Sequence, residues 1–222
     1  GEDRYMWGWC PTREGYDNTK TNSGAEPQWA GSMVAHRVIQ HADGTLTLGE
    51  VAGIKAKYDQ KTEVKLMAQS PEGVTPGNGA YRLEGNAYAL FNRLGYHNHL
   101  SMTVTTAEPT DKFGISLVRG TDSKKYYTVI VDPESNTRRK INFEEEGPEG
   151  KGFIEAIDGY MFDTPADNTY HIDIYTDSSV FVMYINDQVC YTNRIYGTQL
   201  NCWRVNGYNG TITVSELQVT QY

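Results

Sequence analysis

The most constraining feature of this sequence is a repeated alternation of apolar and polar residues, interrupted by turn signals at short intervals. Leu100, Met102 and Val104 alternate with polar residues, and the same period of two returns in several later segments. This period places successive side chains on opposite faces of a β-strand, so that one face can be buried. About ten to twelve such strands, with turns about every 8–12 residues, predict an all-β fold: a two-sheet antiparallel β-sandwich of the jelly-roll type.

Three local patterns refine this prediction. The continuous apolar run Val180–Ile185 indicates a strand that is covered on both faces. Near the end of the chain the apolar residues slip by one position, which predicts a β-bulge at Ser215 and Glu216. Residues 50–58 have helical spacing and predict one short linker helix.

The first sixty residues differ in character from the rest. They contain the aromatic motif Trp7-Gly8-Trp9, a polar loop between Pro11 and Pro27, and then Trp29. We therefore expect two parts, an N-terminal segment over residues 1–60 and a β-sandwich over residues 61–222. The charged start of the chain is what we expect of a processed or truncated protein.

Charge and hydropathy argue against two classes of partner. The formal net charge is −8, and an acidic surface repels phosphate backbones, so we expect no nucleic acid partner. The densest basic run, residues 138–140, is followed by acidic residues 144–146. We interpret these runs as two solvated strand ends around a turn. No apolar stretch approaches 18 residues, so we expect no membrane span.

The three cysteines leave one alternative open. A bridge between Cys190 and Cys202 can form if their strands are neighbours, which spacing alone does not decide. We expect Cys10 to be a buried free thiol.

Candidate catalytic and metal-binding residues are weakly supported. His97 and His99 would share one strand face, but no acidic or third histidine ligand lies nearby in sequence. Turns explain the remaining polar residues more simply than a calcium site does: Asp158, Asp163, Asp167 and Asn168. Ser178-Ser179 lacks a nucleophile elbow. We therefore expect no catalytic residue, no metal and no cofactor.

Segments at both ends of the chain carry a family resemblance. The stretch from Tyr170 to Val180, the turn Tyr184-Ile185-Asn186-Asp187 and the segment Thr192-Asn193-Arg194-Ile195-Tyr196 resemble the C-terminal sandwich of glycoside hydrolase family 32. Trp7-Gly8-Trp9, Trp29-Ala30-Gly31-Ser32-Met33, Asp43-Gly44-Thr45-Leu46 and Glu50-Val51 resemble the point where that family's propeller passes into its sandwich. Phe181 stands where the family usually has glutamate, which indicates a divergent branch.

The resemblance implies a lectin-like (concanavalin-like) sandwich that packs against a catalytic propeller. Glycoside hydrolysis needs two carboxyl groups facing each other, and this family carries its three catalytic residues in Asn-Asp-Pro-Asn-Gly, Arg-Asp-Pro and Glu-Cys motifs. None of these motifs is present in the sequence. The resemblance therefore implies an accessory module without catalysis of its own, belonging to a parent glycoside hydrolase. It also implies a location outside the cytoplasm, either extracellular, periplasmic or at the cell surface.

Two surfaces are candidates for function. Trp203, Arg204, Asn206 and Tyr208 combine aromatic and polar side chains that could bind a carbohydrate, although Trp203 also fits a core position and Asn206-Gly207 a turn. Trp7, Trp9 and Trp29 would pack against the propeller. A free-standing lectin-like carbohydrate-binding module is the main alternative to the accessory role, and a cell-surface interaction protein also fits.

Overall fold

The computed structural model of the chain describes residues 3–12, 28–120, 125–147, 150–155 and 161–222. Almost all regular structure in these residues is β-strand, and every strand pair is antiparallel. The elements are β1 (Arg4–Thr12), β2 (Gln28–Gln40), β3 (Leu46–Gly49), α1 (Ala52–Lys55), β4 (Gln60–Thr62), β5 (Leu66–Gln69), β6 (Val74–Gly77), β7 (Ala80–Glu84), β8 (Tyr88–Phe91), β9 (His97–Thr106), β10 (Phe113–Val118), β11 (Tyr126–Ser135), β12 (Arg138–Gly147), β13 (Gly150–Glu155), β14 (Met161–Asp163), β15 (Thr169–Asp177), β16 (Val180–Ile185), β17 (Val189–Arg194), β18 (Trp203–Gly207) and β19 (Thr211–Gln221).

The strands form three sheets in the described part of the chain. Sheet 1 has the order β13-β12-β11-β10-β18-β8-β5, with β14 paired to β12. Sheet 2 has the order β17-β16-β15-β9-β19-β7-β6, with β4 paired to β19. The third, the N-terminal sheet, is β1-β2-β3. Sheets 1 and 2 form the sandwich, and the prediction of an all-β, two-sheet sandwich is confirmed.

Alternate residues of both sheets fill the core between them. Ile115 and Val129 from sheet 1 meet Leu100, Ile172 and Met183 from sheet 2, and each of these side chains is at most 1% exposed. Burying a side chain of this size stabilises the fold by about 1.5–3 kcal/mol. The alternation seen in the sequence is therefore the signature of two sheets that close on each other.

The N-terminal sheet covers part of the outer face of sheet 2. Strand β16 is buried along its whole length, because Phe181 and Met183 point into the core while Val182 and Tyr184 pack in a second cluster with Val34 of the N-terminal sheet. The prediction that Val180–Ile185 is covered on both faces is confirmed.

Strand β19 contains the predicted bulge. Its register with β9 shifts between Ser215 and Gln218, and Glu216 has a φ of 55°. Before the bulge, β19 pairs with β7; after it, residues Val219 to Gln221 pair with β4. The extra residue lets one strand change its partner on one side while it keeps β9 on the other.

The linker helix is shorter than predicted. The spacing of residues 50–58 predicts a helix over that range, but α1 covers only Ala52–Lys55 and has no side-chain N-cap. Gly53 lies inside it. An internal glycine and the lack of a capping side chain each lower the stability of a helix. Tyr58 instead packs on Tyr175 of sheet 2, with ring centroids 5.2 Å apart.

The interpretation of the basic and acidic runs as solvated strand ends is wrong. Both runs lie on the single strand β12, and Arg139 is fully buried. Its Nη1 donates a hydrogen bond of 2.7 Å to the carbonyl of Asp111, and its guanidinium lies 5.3 Å from the ring centroid of Tyr170. Arg139 is the buried one of the three basic residues because successive side chains of a strand alternate, so that Arg138 and Lys140 point to the opposite face.

All three cysteines are free thiols, and Cys10 and Cys190 are buried. Cys190 lies on β17 of sheet 2, whereas Cys202 immediately precedes β18 of sheet 1. Because these strands belong to opposite layers, the bridge that spacing left open does not form. The expectation of a buried thiol at Cys10 is confirmed.

Candidate functional site

Strand β18 separates the residues predicted to bind carbohydrate. Trp203 points into the core, where it is 1% exposed and stacks on Phe91 with ring centroids 4.6 Å apart. Arg204 and Asn206 point to the outer face of sheet 1, because successive residues of a strand alternate. Trp203 therefore has no open ring face on which a sugar could stack.

A row of hydrogen-bonded polar side chains runs across the outer face of sheet 1. The Ser116 and Thr128 hydroxyls are 2.7 Å apart, and Asn206 Nδ2 donates to Ser116 Oγ at 2.8 Å. All three residues are at most 5% exposed. Their mutual bonding satisfies polar groups that would otherwise be costly to bury. We call this row and the residues beside it, Tyr88, Tyr126 and Arg204, the polar face.

Arg204 lies over two aromatic rings on the polar face. Its guanidinium carbon is 3.7 Å from the ring centroid of Tyr126 and 5.4 Å from that of Tyr88. Stacking on two rings holds the guanidinium in one orientation.

Tyr208 lies at one end of the polar face. Its ring passes over Gly114, where a Cβ would come within 3.2 Å of the Tyr208 ring. Lys112 Nζ is 5.4 Å from the same ring and 3.2 Å from Asp132 Oδ2. Asn142 Nδ2 also donates to Asp132 Oδ2. Three of the four residues predicted to bind carbohydrate, Arg204, Asn206 and Tyr208, thus lie on or beside one face.

A second candidate surface lies on the N-terminal sheet. Tyr5, Trp7, Trp9 and Met33 are 46%, 63%, 56% and 71% exposed. Trp9 pairs with Met33 across β1 and β2, so that these apolar side chains are neighbours on one face. We call these four residues the aromatic surface. The side chain of Trp29 lies outside the described residues.

A groove of about 170 Å³ adjoins the aromatic surface where the N-terminal sheet meets sheet 2. Its lining is mostly apolar and includes Trp7, Met33, Ile54 and Val182. A space of this size accommodates about one aromatic ring. It is therefore suited to one inserted side chain rather than to a chain of sugar rings.

Arg194 fastens the N-terminal sheet to the sandwich. Its Nη2 donates to the carbonyl of Cys10 at 2.6 Å and to Ser32 Oγ at 3.2 Å, and its Nη1 donates to Ser179 Oγ at 2.7 Å. The residue is 5% exposed. One guanidinium thus joins β1, β2 and the turn before β16. Arg194 lies within a segment that resembles the family, but its role depends on contacts with distant residues that the sequence alone does not reveal.

His36 makes a second buried contact between the two parts. Its Nδ1 is 2.8 Å from the Tyr184 hydroxyl and 3.3 Å from Cys190 Sγ. Burial lowers the pKa of His36 and raises the pKa of the Cys190 thiol to about 12. Burial also raises the pKa of Tyr184. At neutral pH all three groups are uncharged, so the contact has no charge to solvate.

We expect acid to weaken this contact. Because the folded-state pKa of His36 lies below its ordinary value of 6.5, the unfolded chain binds the proton first as the pH falls. The stabilisation is fully present above pH 6.5 and declines below it, by at most about 1.4 kcal/mol per pH unit. Urea unfolding at pH 7.5 and pH 5.5 measures this decline. The variant His36→Gln should lose less stability than the wild type over that interval. An equal loss of unfolding free energy in both proteins would contradict the assignment of the decline to His36.

A cluster of charged groups lies where the linker crosses sheet 2. His99 Nε2 is 2.6 Å from Asp173 Oδ1 and 3.8 Å from Glu50 Oε2. Lys55 Nζ is 2.8 Å from Glu50 Oε1 and 3.7 Å from Asp173 Oδ1. Tyr175 donates a hydrogen bond to Glu50 Oε2. We call Glu50, Lys55, His99 and Asp173 the junction cluster.

The two carboxylates of the junction cluster are held in ion pairs. Burial alone would raise the pKa of Asp173, but the hydrogen bond from His99 and the charge of Lys55 outweigh it and hold that pKa below its ordinary value. Glu50 and Asp173 do not line the groove. They suit a packed, charge-compensated junction rather than an acid–base pair that flanks a glycosidic bond.

Sequence reasoning missed the partners of the two histidines. The acids come from β15 and from the linker: Asp177 lies 2.9 Å from His97, and Asp173 and Glu50 adjoin His99. The sequence did contain a pattern that indicates these acids: the alternation of β15 places Asp173 and Asp177 on one face of the strand. Of the calcium candidates, Asp167 Oδ1 accepts a hydrogen bond from the amide of Thr169, as in an Asx turn, and Asp158 lies outside the described residues.

The fold has similar solved structures at low sequence identity. The carbohydrate-binding module CBM66 from Bacillus subtilis is 13% identical, with a TM-score of 0.54 over 72% of this chain and 97% of that one. A sucrose-6-phosphate hydrolase from Lactobacillus gasseri is 14% identical, with a TM-score of 0.54 over 99% of this chain and 38% of that one. An exo-inulinase from Aspergillus awamori is 12% identical, with a TM-score of 0.55 over 99% and 40%.

The two enzymes are much longer than this chain, which spans only 38% and 40% of their lengths. No curated protein matches the sequence. No helix among the described residues is long and apolar enough to cross a bilayer.

A family model matches most of the chain. Its description is "GH32, BT1760-like, C-terminal domain", and the match covers residues 44–219. This range includes the end of the N-terminal sheet, the linker and almost all of the sandwich. The chain therefore belongs to the family of BT1760-like C-terminal domains of glycoside hydrolase family 32.

Proposed function

We propose that the chain is an accessory module that supports a propeller catalytic domain in its parent glycoside hydrolase. The observation that carries this proposal is the aromatic surface, which leaves Trp7 and Trp9 more than half exposed on a sheet that is itself bound to the sandwich. Contiguous exposed apolar patches of this kind mark interaction sites. Covering such a side chain fully stabilises a complex by about 1.5–3 kcal/mol.

The groove beside the aromatic surface supports the same role. Its apolar lining and its volume of about 170 Å³ suit one large side chain projecting from the catalytic domain. Arg194 and His36 fix the N-terminal sheet on sheet 2, so the aromatic surface is presented in one orientation. A rigid, apolar platform of this kind orients a neighbouring domain at low entropic cost.

The experiment compares variants in the full-length parent protein. Trp7→Ser combined with Trp9→Ser should lower the melting temperature of the catalytic domain by several degrees, because two anchors of about 1.5–3 kcal/mol each are removed from the interface. Met67→Ser is the matched control, since Met67 is 61% exposed on β5 of sheet 1 and should leave the melting temperature unchanged. Equal melting temperatures for all three proteins would contradict the proposal.

The isolated chain gives a second test. Incubated with levan, inulin or sucrose, it should release no sugar, because the accessory role assigns the chemistry to the propeller. Turnover by this chain that disappears on mutation of one of its own carboxylates would overturn the assignment.

Carbohydrate binding at the polar face is a second candidate function. The favouring observation is Arg204, held over Tyr126 and Tyr88 beside hydrogen-bonded Asn206 and Ser116. Aromatic and polar groups in this combination suit a polyhydroxylated ligand. The solved structure that this chain covers to 97% is named as a carbohydrate-binding module, and we extend that property to this chain only as a proposal.

Affinity electrophoresis in gels containing levan or inulin tests the second candidate. Arg204→Ala and Tyr208→Ala should each restore the mobility seen without polysaccharide, by removing donors and contact area from the polar face. Arg82→Ala is the control, because Arg82 lies on β7 of sheet 2 and is half exposed. Unretarded wild-type chain would exclude binding of these polymers and leave the accessory role alone.

The location outside the cytoplasm is part of the same proposal. It is supported by the family resemblance of the sequence. Fractionation of cells that produce the parent protein tests it: the protein should be found at the cell surface, in the periplasm or in the medium.

A further inference from the structure

The junction cluster brings three metal-ligating side chains together from three separate elements. Glu50 follows β3, His99 lies on β9 and Asp173 lies on β15. One donor atom from each lies within 4.8 Å of the other two. No other such group of His, Cys, Asp or Glu occurs in the part of the chain that the structure describes. Two carboxylate oxygens and one imidazole nitrogen are ligands that zinc and similar divalent metals accept.

The surrounding residues hold these donors in place. His99 is 6% exposed and stacks on Tyr175, with ring centroids 4.4 Å apart and an interplanar angle of 4°. Tyr58 contacts the same imidazole edge-on. Tyr175 also donates its hydroxyl proton to Glu50. Outer contacts of this kind orient metal ligands and keep their positions when the ion binds.

The distances suit a small ion. Ligands about 2.0–2.2 Å from zinc in a tetrahedral site lie about 3.3–3.5 Å from one another. The Nε2 to carboxylate distances of 2.6 and 3.8 Å lie on either side of that value, so His99 and Asp173 move apart by about 0.7 Å and His99 and Glu50 approach by about 0.3 Å when a tetrahedral ion binds. The metal binds the Nε2 lone pair of the neutral ring: the Nε2 proton passes to solvent, and Nδ1 either already carries a proton, as in the imidazolium, or takes one from solvent. The remaining imidazole proton, on Nδ1, then faces the Thr220 hydroxyl at 3.5 Å.

Lys55 provides the positive charge that the two carboxylates otherwise need. Its side chain is 49% exposed, and it projects from the one-turn helix α1. A half-exposed ammonium can move into water without leaving a buried position, because about half of its side chain is already solvated. A divalent ion supplies twice the positive charge of the Lys55 ammonium, so the two carboxylates remain compensated after Lys55 has moved into water.

We propose that Glu50, His99 and Asp173 form a binding site for a divalent transition-metal ion, with zinc the best match, and that the ion displaces Lys55. The fourth position of the ion, on the side that Lys55 leaves, is open to water. The ion joins the linker to β9 and β15 of sheet 2. It therefore fixes the N-terminal sheet, and with it the aromatic surface, more firmly than the ion pair does.

Zinc titration of the intact chain, stripped of metal with a chelator, tests the proposal. Calorimetry should show saturable binding of one ion per chain, with a matching rise in melting temperature. Asp173→Asn and His99→Gln should abolish both signals. His97→Gln is the matched control, because His97 lies on the same strand face beside Asp177 but outside the cluster, and it should bind zinc as the wild type does.

Lys55→Met gives effects of opposite sign that an ion pair alone does not produce. The variant should melt at a lower temperature than the wild type without metal, yet bind zinc about fivefold more tightly, because the competing ammonium is gone. If His99→Gln does not fold, Asp173→Asn, which keeps the side-chain shape, gives the result alone. Absence of saturable binding in the wild type, binding that survives Asp173→Asn, or unchanged affinity in Lys55→Met would each overturn the proposal.

Discussion

Replacing Phe181 by glutamate is expected to unfold the sandwich, and replacing it by alanine is expected to lower the free energy of unfolding by about 3–5 kcal/mol. Phe181 is 1% exposed and lies between two aromatic rings of the core. Its ring centroid is 6.4 Å from that of Phe143 and 6.3 Å from that of Tyr191. An alanine leaves a cavity among these rings, whereas a carboxylate there would have no partner.

The glutamate variant matters because glycoside hydrolase family 32 usually has glutamate at the position of Phe181. The pairing of β15 with β16 places Phe181 opposite Thr176, on the core face, so the family residue cannot be accommodated in this register. Urea unfolding followed by circular dichroism measures both variants, with Phe181→Leu as the control that keeps an apolar side chain and should lose less stability than alanine. A folded, stable Phe181→Glu protein would mean that β16 is offset by one residue.

Replacing Arg194 by methionine is expected to release the N-terminal sheet from the sandwich while the sandwich stays folded. The change removes three hydrogen bonds and leaves the carbonyl of Cys10 buried without its donor. Leaving a buried polar group without its hydrogen-bond partner costs about 1–3 kcal/mol, and this loss weakens the contact between the N-terminal sheet and the sandwich. Arg194→Lys should behave similarly, because an ammonium cannot reach three acceptors in the way that the planar guanidinium does.

Amide hydrogen exchange measures this effect strand by strand. Protection should fall in β1, β2 and β3 and remain in β9 and β10. Arg37→Ala is the matched control: Arg37 also joins the N-terminal sheet to the sandwich, through a 3.2 Å ion pair with Asp187, but both side chains are more than a third exposed. Such a pair contributes at most about 1 kcal/mol. A uniform loss of protection in Arg194→Met would show instead that the two parts unfold together.

The strands and the bulge could be predicted from the sequence because they depend on neighbours along the chain. The alternation around Met102 and the slip at Ser215 are local patterns, and each has one structural meaning. The continuous run Val180–Ile185 likewise predicted cover on both faces. It did not say what provides the cover, since Val34 and Leu48 of the N-terminal sheet lie more than 130 positions away in sequence.

The functional surfaces were harder to predict because strand parity and distant contacts decide them. Trp203 and Arg204 are adjacent in sequence, yet one lies in the core and the other on the polar face. Arg139 has a basic neighbour on each side but is the one that points inward. The junction cluster joins His99 to Asp173, 74 positions later, and no spacing rule connects strands that become neighbours only when the sheet forms.

The bulge in β19 has a consequence for how the two parts are connected. Residues beyond it pair with β4, the first strand after the linker, so Gln221 lies opposite Gln60. Tyr222 continues this contact, packing edge-on against Tyr58 and stacking on His97. A protease that trims residues 220–222 would therefore loosen the linker before it reaches Val219, which is part of the hydrophobic core. The last residues of the chain thus help to fix the linker, and through the linker the position of the N-terminal sheet.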